Sequence, residues 1–156
     1  MSATTREPRP GEVDGREYYF LTKEKFVKMI EKDEFLEYAQ YADNYYGTPK
    51  KAVEDMLNEG YNVFLEIEVQ GGLQIMEKCP DCLSIFIVPP SLEVLEQRLR
   101  GRGTETEEVI EKRMKAALVE QEYTSRYDFV VENDIVEKTV DDIINIVKKE
   151  KEKRNN

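Results

Sequence analysis

The fold prediction depends above all on one stretch, Tyr61-Asn62-Val63-Phe64-Leu65-Glu66-Ile67-Glu68-Val69-Gln70-Gly71-Gly72. Its apolar run predicts a short buried strand over 63–67, followed by a glycine pair and a helix. Side chains alternate across a strand, so Glu66 and Glu68 share one face while Leu65 and Ile67 share the other. Two carboxylates at the carboxyl end of a buried strand lie where open α/β sheets bind ligands. Because two negative charges without compensating partners are energetically costly there, we expect cations, hydrogen-bond donors or a ligand beside them.

The composition is that of one globular domain with an acidic surface. The chain has 156 residues, and its 33 acidic and 23 basic side chains give a formal charge of -10. Such a surface argues against non-specific binding to nucleic acids or anionic membranes. The sequence contains no histidine, which excludes Ser-His-Asp and Cys-His catalysis and leaves carboxylates, arginines, lysines, tyrosines and backbone. Two cysteines, no signal peptide and no long apolar run predict a cytoplasmic location.

The order of the predicted elements is that of an α/β protein with a parallel sheet. Strands are predicted over 63–67, 83–88 and 128–132, each followed by a helix. These helices are expected over 73–78, from Ser91 to Gly101, from Thr104 to about Tyr123, and from Ile135 onward.

The first third of the chain is expected to be an antiparallel lobe preceded by a loop. Residues 2–15 are predicted to be mostly loop, whereas 16–47 carries strands at 18–21 and 35–41 and a turn at 44–47. Thr22 is expected to cap the first helix. Thr48 and Pro49 supply the cap and first-turn proline of the second helix, which Gly60 ends.

Two arginines near the beginning of the chain can bind an anion. Arg6 and Arg9, on a proline-stiffened loop, can form a fork that holds a dianion, with Tyr18 as a neutral donor. The alternative is that both arginines pair with nearby acidic residues on a solvated loop.

A carboxylate and a hydroxyl in the lobe can read a base edge. Glu37, on a predicted strand, can accept two donors from a guanine edge, and a nearby hydroxyl can donate to the guanine carbonyl. The alternative is a hairpin whose tyrosines pack as core and whose Thr48 serves only as a helix cap.

Arginines also flank a glycine pair in Arg98-Leu99-Arg100-Gly101-Arg102-Gly103, with Arg113 one helix further on. This pattern suits a lid that closes over phosphates and supplies positive charge to a transferring phosphoryl group. The alternative is a solvated helix corner neutralised by neighbouring glutamates.

The remaining motif is Cys79-Pro80-Asp81-Cys82. A catalytic redox pair places its first cysteine at the beginning of a helix, whereas here that cysteine follows one. No second C-x-x-C and no histidine complete a zinc site. The sequence therefore favours neither a catalytic redox pair nor a metal site.

Seven segments follow one another in the order and near the spacing found in guanylate kinases. They are TTREPRPGEVDGREYYF, FLEYAQYADNYYGT, VFLEIEVQG, IFIVPPS, RLRGRGTET, KRM and VVEND. By this resemblance the chain is identified as a member of the guanylate kinase family. The resemblance implies a P-loop NTPase fold of the nucleoside monophosphate kinase type, with a parallel sheet, helices on both faces, an inserted antiparallel GMP-binding lobe and a helical lid.

The resemblance also implies an activity and a domain arrangement. The activity is Mg²⁺-dependent phosphorylation of GMP to GDP by ATP, in purine nucleotide metabolism. The arrangement is a single domain over 1–156, with the GMP-binding lobe at about 16–47, the lid at 98–125 and the remainder as core.

Roles are carried over position by position. The expected contacts with the GMP phosphate and sugar are Ser2, Arg6, Arg9, Tyr18 and Tyr46, and the expected guanine readers are Glu37, Thr48 and Glu68. The expected catalytic set is Arg98, Arg102, Arg113 and Glu66, the last as partner of a magnesium-bound water. The expected ATP contacts are Arg98, Arg102 and Asn133. Glu66 and Glu68 stand where aspartates are common in the family.

The pattern departs from the family at its beginning. Guanylate kinases begin with a strand, a G-x-x-x-x-G-K-[ST] loop and a helix, and this motif does not occur in the sequence. We therefore expect the first P-loop strand to be missing and the chain as given to be inactive alone, with an unstable or rearranged sheet. Three explanations are open: a valine codon misread as the start at Met1, a deliberately shortened chain, and a genuine gene fragment.

Two other functions are weighed against the enzyme. Guanylate-kinase-like domains of membrane-associated scaffold proteins bind phosphopeptides without catalysis; the lid and guanine-reading residues argue against that here. The other is an acidic α/β domain with different partners. The expected partners are GMP and ATP, with no nucleic acid and no membrane, and the sequence leaves monomer and homo-oligomer open.

Overall fold

The chain folds as two units, residues 1–82 and 83–156. The computed structural model describes residues 1–41, 43–101, 103 and 106–154, apart from the Tyr41 side chain. In chain order the elements are β1 (Ala3–Thr4), β2 (Tyr19–Phe20), α1 (Lys23–Glu31), β3 (Phe35–Tyr41), β4 (Asn44–Pro49), α2 (Lys50–Asn58), α3 (Val69–Lys78), β5 (Ile85–Val88), α4 (Leu92–Gly101), α5 (Glu107–Gln121), β6 (Phe129–Glu132) and α6 (Val136–Arg154). The predicted α/β class is confirmed. The single domain, with its lobe at 16–47 and lid at 98–125, stays a prediction.

A four-stranded sheet in the order β2-β1-β4-β3 organises the first unit. β1 runs parallel to β2 and antiparallel to β4, and β4 is also antiparallel to β3. Residues 2–15 are mostly loop, as predicted, but the prediction did not include β1, whose Ala3 and Thr4 are completely buried in the sheet. A strand of two residues has no periodicity from which a sequence can predict it.

The predicted turn at 44–47 was wrong, since these residues begin β4. Both sides of β4 find backbone partners: Thr5 donates its amide to the Tyr45 carbonyl at 3.0 Å, and β3 pairs along the other edge. The Asn and Gly of this stretch are typical of turns, but pairing on both edges outweighs that local preference.

The sequence predicted the N-cap of the first helix correctly but not that of the second. Thr22 caps α1 as predicted, accepting the Lys25 amide. Thr48 does not cap α2, because it lies inside β4 and donates its hydroxyl to Glu37. Pro49 is the N-cap of α2, without a side-chain hydrogen bond. Gly60 follows the helix as predicted, at φ 85° with its amide on the Leu57 carbonyl.

The core of the sheet is a small aromatic cluster. Ala3, Phe26 and Phe35 are buried together, and the rings of Phe26 and Phe35 stack with centroids 4.3 Å apart. Gly47 lies against this cluster, because a Cβ there would meet the Glu37 carbonyl at 2.9 Å and the Phe26 ring at 3.1 Å. Phe26 comes from the apolar face of α1, so the cluster fixes that helix on the sheet.

The predicted buried strand at 63–67 is not a strand. Residues 61–68 have no regular secondary structure and pair with no strand within the described parts of the chain. The alternation is nevertheless the predicted one: Val63, Leu65 and Ile67 pack against Leu36, Val53 and Ile75, while the intervening side chains are exposed. A segment becomes a β-strand only when a neighbouring strand pairs with its backbone hydrogen-bonding groups. This segment is held by side-chain packing on one face and has no such backbone partner among the described residues.

The helix after this segment begins earlier than predicted. α3 starts at Val69 rather than at residue 73 and so contains Gly71 and Gly72, which the sequence interpretation placed before the helix. Glycine inside a helix costs about 1 kcal/mol relative to alanine, so it needs a local reason. For Gly71 that reason is its close approach to Glu37.

The second unit contains a parallel pair, β5 and β6, with Ile85 opposite Phe129. The parallel arrangement was predicted for three strands and is observed for these two. Asp128 accepts the amide and hydroxyl of Ser84, both at 2.8 Å, which locks the beginning of the pair.

The helix boundaries of the second unit follow the predictions in part. Ser91 caps α4 by accepting the Val94 amide, as predicted. α5 begins at Glu107 with Thr106 as its N-cap, later than the predicted start at residue 104. Thr104 and Glu105 of the predicted capping box lie outside the described residues. In the described part of the chain, no helix combines the length and apolarity needed to cross a bilayer.

Candidate functional site

A buried carboxylate–hydroxyl pair lies between β3 and β4. Thr48 stands opposite Glu37 in the strand register and donates its hydroxyl to Glu37 Oε1 at 2.6 Å. Glu37 is only 6% exposed, and this burial raises the pKa of its carboxyl while the hydrogen bonds from Thr48 lower it. A carboxylate with so little solvent requires donors, and Thr48 supplies them through its hydroxyl and its backbone N–H, with the hydroxyl on Oε1.

Helix α3 packs against the Glu37 side chain, and its Gly71 leaves room for the carboxylate. A Cβ on Gly71 would lie 2.9 Å from Glu37 Oε2, so only glycine fits beside the carboxylate without displacing it. One turn later Gln74 accepts the Tyr38 amide at 3.2 Å and donates to the Tyr38 carbonyl at 3.0 Å. α3 is thereby fastened to β3 one turn after the close approach at Gly71.

The role of α3 was missed from sequence. Gly71 was treated only as part of a glycine break, and Gln74 was not singled out. The family-like segment VFLEIEVQG does end at Gly71, which is the one available signal that this glycine matters. The contact of Gln74 with β3 spans 36 residues and leaves no local pattern in the sequence.

A second group of side chains surrounds Arg6. Its guanidinium lies 5.7 Å from the centroids of both the Tyr18 and Phe20 rings, within the range of a cation–π contact. The Tyr18 ring meets the Tyr46 ring edge-on at 6.3 Å. The structure therefore brings together the three predicted phosphate-side residues Arg6, Tyr18 and Tyr46.

Glu12 holds this guanidinium in place. Its carboxylate lies 2.9 Å from Arg6 Nη2 and also accepts the Arg9 amide at 2.7 Å. Hydrogen bonds from Arg9 and then from Arg6 lower the pKa of Glu12, whereas Glu12 and, less strongly, Tyr46 raise the pKa of Arg6. Pairing with nearby acidic residues, the alternative stated from sequence, is therefore observed for Arg6. The same ion pair also fixes the position of the guanidinium beside the tyrosines.

The other predicted residues of the first unit are less enclosed. The Arg9 side chain is exposed and makes no ion pair with any described residue. Ser2 is half-buried and accepts the Tyr19 amide through its backbone oxygen. Glu68 is the N-cap residue of α3, three positions before Gly71, and Glu66 is an exposed carboxylate of the segment 61–68.

In the second unit two predicted ATP-side residues meet. Arg98 donates from Nη1 to the Asn133 carbonyl at 2.6 Å and from Nη2 to the Asp134 carbonyl at 3.0 Å. The Asn133 side chain accepts the Thr139 hydroxyl at 3.3 Å. Arg113 lies exposed on α5, and Arg102 lies outside the described residues.

Arg100, between the predicted lid arginines, is engaged by two carboxylates. Its guanidinium contacts Glu96 at 2.8 Å and Glu107 at 2.5 Å. These contacts, with Glu107 the stronger, raise the pKa of Arg100. The alternative from sequence was neutralisation by Glu96 and Glu105: the structure shows Glu96 in that role, the contact with Glu107 was not predicted, and Glu105 lies outside the described residues.

The described residues contain no group of three or more metal-ligating side chains. A lone exposed carboxylate such as Glu66 still fits Mg²⁺, which keeps most of its waters and is commonly bound through nucleotide phosphates. Cys79 and Cys82 form no disulfide in this structure.

Chemically, the first unit can bind an anion at one place and hydrogen-bond donors at another. Arg6 supplies a held guanidinium beside two tyrosines, and Glu37 supplies a buried acceptor beside Thr48. A nucleotide whose base presents hydrogen-bond donors complements both features: its phosphate matches the Arg6 guanidinium, and its base matches the Glu37 acceptor. The class that these two features indicate is that of the nucleotide-binding proteins.

Comparison with known proteins identifies the family within this class. The family model described as guanylate kinase matches residues 1–150. The guanylate kinase of Desulfitobacterium hafniense is 52% identical over 151 residues, which cover 97% of this chain and 76% of that protein. The guanylate kinase of Clostridioides difficile is 54% identical, covering 98% of this chain and 75% of that protein.

A solved structure agrees with the sequence comparisons. The crystal structure of guanylate kinase from Anaplasma phagocytophilum matches with a TM-score of 0.76 at 37% identity, covering 96% of this chain and 73% of that one. The chain belongs to the guanylate kinase family, whose members are phosphotransferases.

Proposed function

We propose that the first unit binds GMP, with the guanine edge at Glu37 and the phosphate at Arg6. The observation that carries this proposal is the buried pair of Glu37 and Thr48, with the hydroxyl donating at 2.6 Å. The reaction served is the transfer of a phosphoryl group from ATP to GMP.

The guanine end follows from donor and acceptor counts. Guanine offers its ring N–H and exocyclic amine as donors and its carbonyl as an acceptor. The Thr48 hydroxyl bonds Oε1 of Glu37, so in this proposal Oε2 accepts one guanine donor, and Glu68, at the beginning of α3, supplies a second acceptor. Adenine has no donor on its ring nitrogen at this position, so the same acceptors reject AMP.

We assign the GMP phosphate to Arg6 because of the opposite charges of the two groups. A nucleoside monophosphate carries nearly two negative charges near neutral pH. Arg6, held by Glu12 over Tyr18, and the exposed Arg9 supply cations on one loop, and the Tyr18 and Tyr46 hydroxyls supply neutral donors. Ser2, next to β1, completes the proposed phosphate and sugar contacts.

The remaining roles concern ATP. We propose that Arg98, Arg102 and Asn133 contact ATP and that Arg113 adds positive charge for phosphoryl transfer. Mg²⁺ bound to the ATP phosphates neutralises their charge, and Glu66 would accept from one of its waters. Because the sequence has only two cysteines and no recognisable secretion signal, we also propose a cytoplasmic location.

The experiment separates the two ends of the GMP site. Calorimetric titrations with GMP and with guanosine are compared for the wild type, Glu37→Gln and Arg6→Lys. Glu37→Gln should weaken both ligands by at least about tenfold, since it replaces an ionic acceptor in a buried site. Arg6→Lys should weaken GMP by about tenfold and leave guanosine unchanged, because lysine keeps the charge but not the planar fork.

Equal effects of both variants on both ligands would contradict the proposed assignment of the two ends. Binding of a phosphoserine peptide in place of GMP would instead support the alternative of a non-catalytic binding module.

A further inference from the structure

Cys79 and Cys82 stand at the two ends of a β-turn that follows α3. The Cys82 amide donates to the Cys79 carbonyl at 2.9 Å, and Pro80 and Asp81 form the turn between them. A β-turn keeps its first and fourth Cα atoms within about 7 Å, and disulfides span Cα separations of about 4.4–6.8 Å. The backbone therefore already brings these cysteines to a distance that a disulfide can bridge.

Both sulfur-bearing side chains meet the same group of apolar residues. Cys79 and Cys82 are half-buried, form no disulfide in this structure, and both pack against the cluster of Leu36, Val53 and Ile75. A disulfide also requires that the two Cβ vectors do not diverge, because diverging vectors cannot be bridged without moving the backbone. Packing of both side chains against one cluster is compatible with that condition.

The turn is held in position from the side of α3. The Cys79 amide donates to the Ile75 carbonyl at 2.7 Å, so Cys79 closes the last turn of the helix. Lys78 donates to the Phe35 carbonyl at 3.0 Å, and Gln74 is bonded to the Tyr38 backbone, which ties the helix to β3. The two thiols thus belong to a preorganised backbone rather than to a free loop.

We propose that Cys79 and Cys82 form a reversible dithiol–disulfide modification site that exchanges with low-molecular-weight disulfides. The thiolate of one cysteine attacks a sulfur of the small disulfide and releases one small thiolate. The thiolate of the other cysteine then attacks the resulting mixed disulfide and releases the second. The protein loses two protons and two electrons, and the small disulfide is reduced to two thiols.

This site differs from a catalytic redox pair. The first cysteine of a redox catalyst stands at the beginning of a helix, where the thiolate is stabilised, whereas Cys79 ends one. In the proposed reaction the cysteine pair is itself oxidised and does not oxidise a substrate. The disulfide that forms fixes the end of α3. The proposal does not depend on GMP binding.

Exchange with oxidised glutathione tests the proposal in the full chain. The reduced protein is incubated with oxidised glutathione, quenched with iodoacetamide, and analysed by intact mass and peptide mapping. We expect a monomer that has lost two hydrogen atoms and carries an internal 79–82 bond without bound glutathione. Cys79→Ser and Cys82→Ser are the matched controls, and each should retain glutathione on its remaining cysteine.

A second measurement tests the preorganisation. The equilibrium constant for closing the internal disulfide against glutathione should be at least about tenfold larger in the folded chain than in the chain unfolded in guanidinium, because the turn raises the effective concentration of the two thiols. Glutathione held on both wild-type cysteines, disulfide-linked dimers, no reaction, or equal constants in the two states would each overturn the proposal.

Discussion

Removing the Thr48 hydroxyl is the perturbation whose effect the structure specifies best. In Thr48→Val the shape of the side chain is kept, but Glu37 loses a donor at 2.6 Å in a place where it is only 6% exposed. A hydrogen bond to a charged group contributes about 1.5–3 kcal/mol to stability. We therefore expect the free energy of unfolding near neutral pH to fall by about 1.5–3 kcal/mol.

The pH dependence of that loss has a definite sign. Burial raises the pKa of Glu37, so its contribution to stability is full below the unfolded-state pKa and is lost as pH rises through the folded-state pKa. The Thr48 hydroxyl opposes this shift, so its removal raises the pKa of Glu37 further. The deficit of Thr48→Val should shrink in acid to about 0.5–1.5 kcal/mol, the range for a hydrogen bond between neutral groups.

The assay is urea unfolding followed by circular dichroism, with two controls. Thr48→Ser retains the hydroxyl and should lose less stability than Thr48→Val. A double-mutant cycle with Glu37→Gln measures the coupling of the two side chains directly, and we expect at least about 1 kcal/mol. Additive effects, or equal losses for the valine and serine variants, would refute the assignment of this hydrogen bond as the element that stabilises the buried carboxylate.

Three further predictions follow from the same structure. Gly71→Ala should weaken GMP binding by about tenfold in calorimetry, because its Cβ would lie 2.9 Å from Glu37 Oε2, whereas Gly101→Ala, which meets no atom within 4 Å, should leave binding unchanged. Leu65→Ala should lower the free energy of unfolding by about 1–2 kcal/mol in urea, and Phe64→Ala, at a side chain that is 70% exposed, by no more than about 0.5 kcal/mol; equal losses would contradict the observed alternation. Guanosine affinity should decline as pH falls through the raised pKa of Glu37, since protonation removes an acceptor, and Glu37→Gln should flatten that profile.

The sequence predicted most reliably where a local signal and the tertiary environment agree. Thr22 caps α1 and Ser91 caps α4, because a hydroxyl before an apolar helical run needs only its own neighbours. β3 was predicted with its observed limits, Phe35–Tyr41, although Phe35, Leu36 and Glu37 are all buried, so its first residues have partners on both faces of the sheet.

The errors lie where long-range contacts decide. Thr48 has the local pattern of a helix cap, yet pairing of β4 with β3 turns its hydroxyl towards Glu37, which is 11 residues away. The segment around Leu65 has the alternation of a strand but lacks a partner for its backbone among the described residues. No local pattern carries that information.

The candidate site was predictable in its residues rather than in its organisation. Resemblance to the family selected Arg6, Tyr18 and Tyr46, and the structure brings them together. It did not indicate that Glu12 holds Arg6 or that Gly71 makes room for Glu37, because both depend on how distant segments pack.

The central claim is that the first unit recognises guanine through Glu37 and Thr48. Its most direct test is calorimetric titration of the full chain with GMP and with AMP under the same conditions. We predict one GMP site and at least about 100-fold weaker binding of AMP, because a buried acceptor without its donor is costly. Equal affinity for the two nucleotides, or no binding of GMP, would contradict the claim.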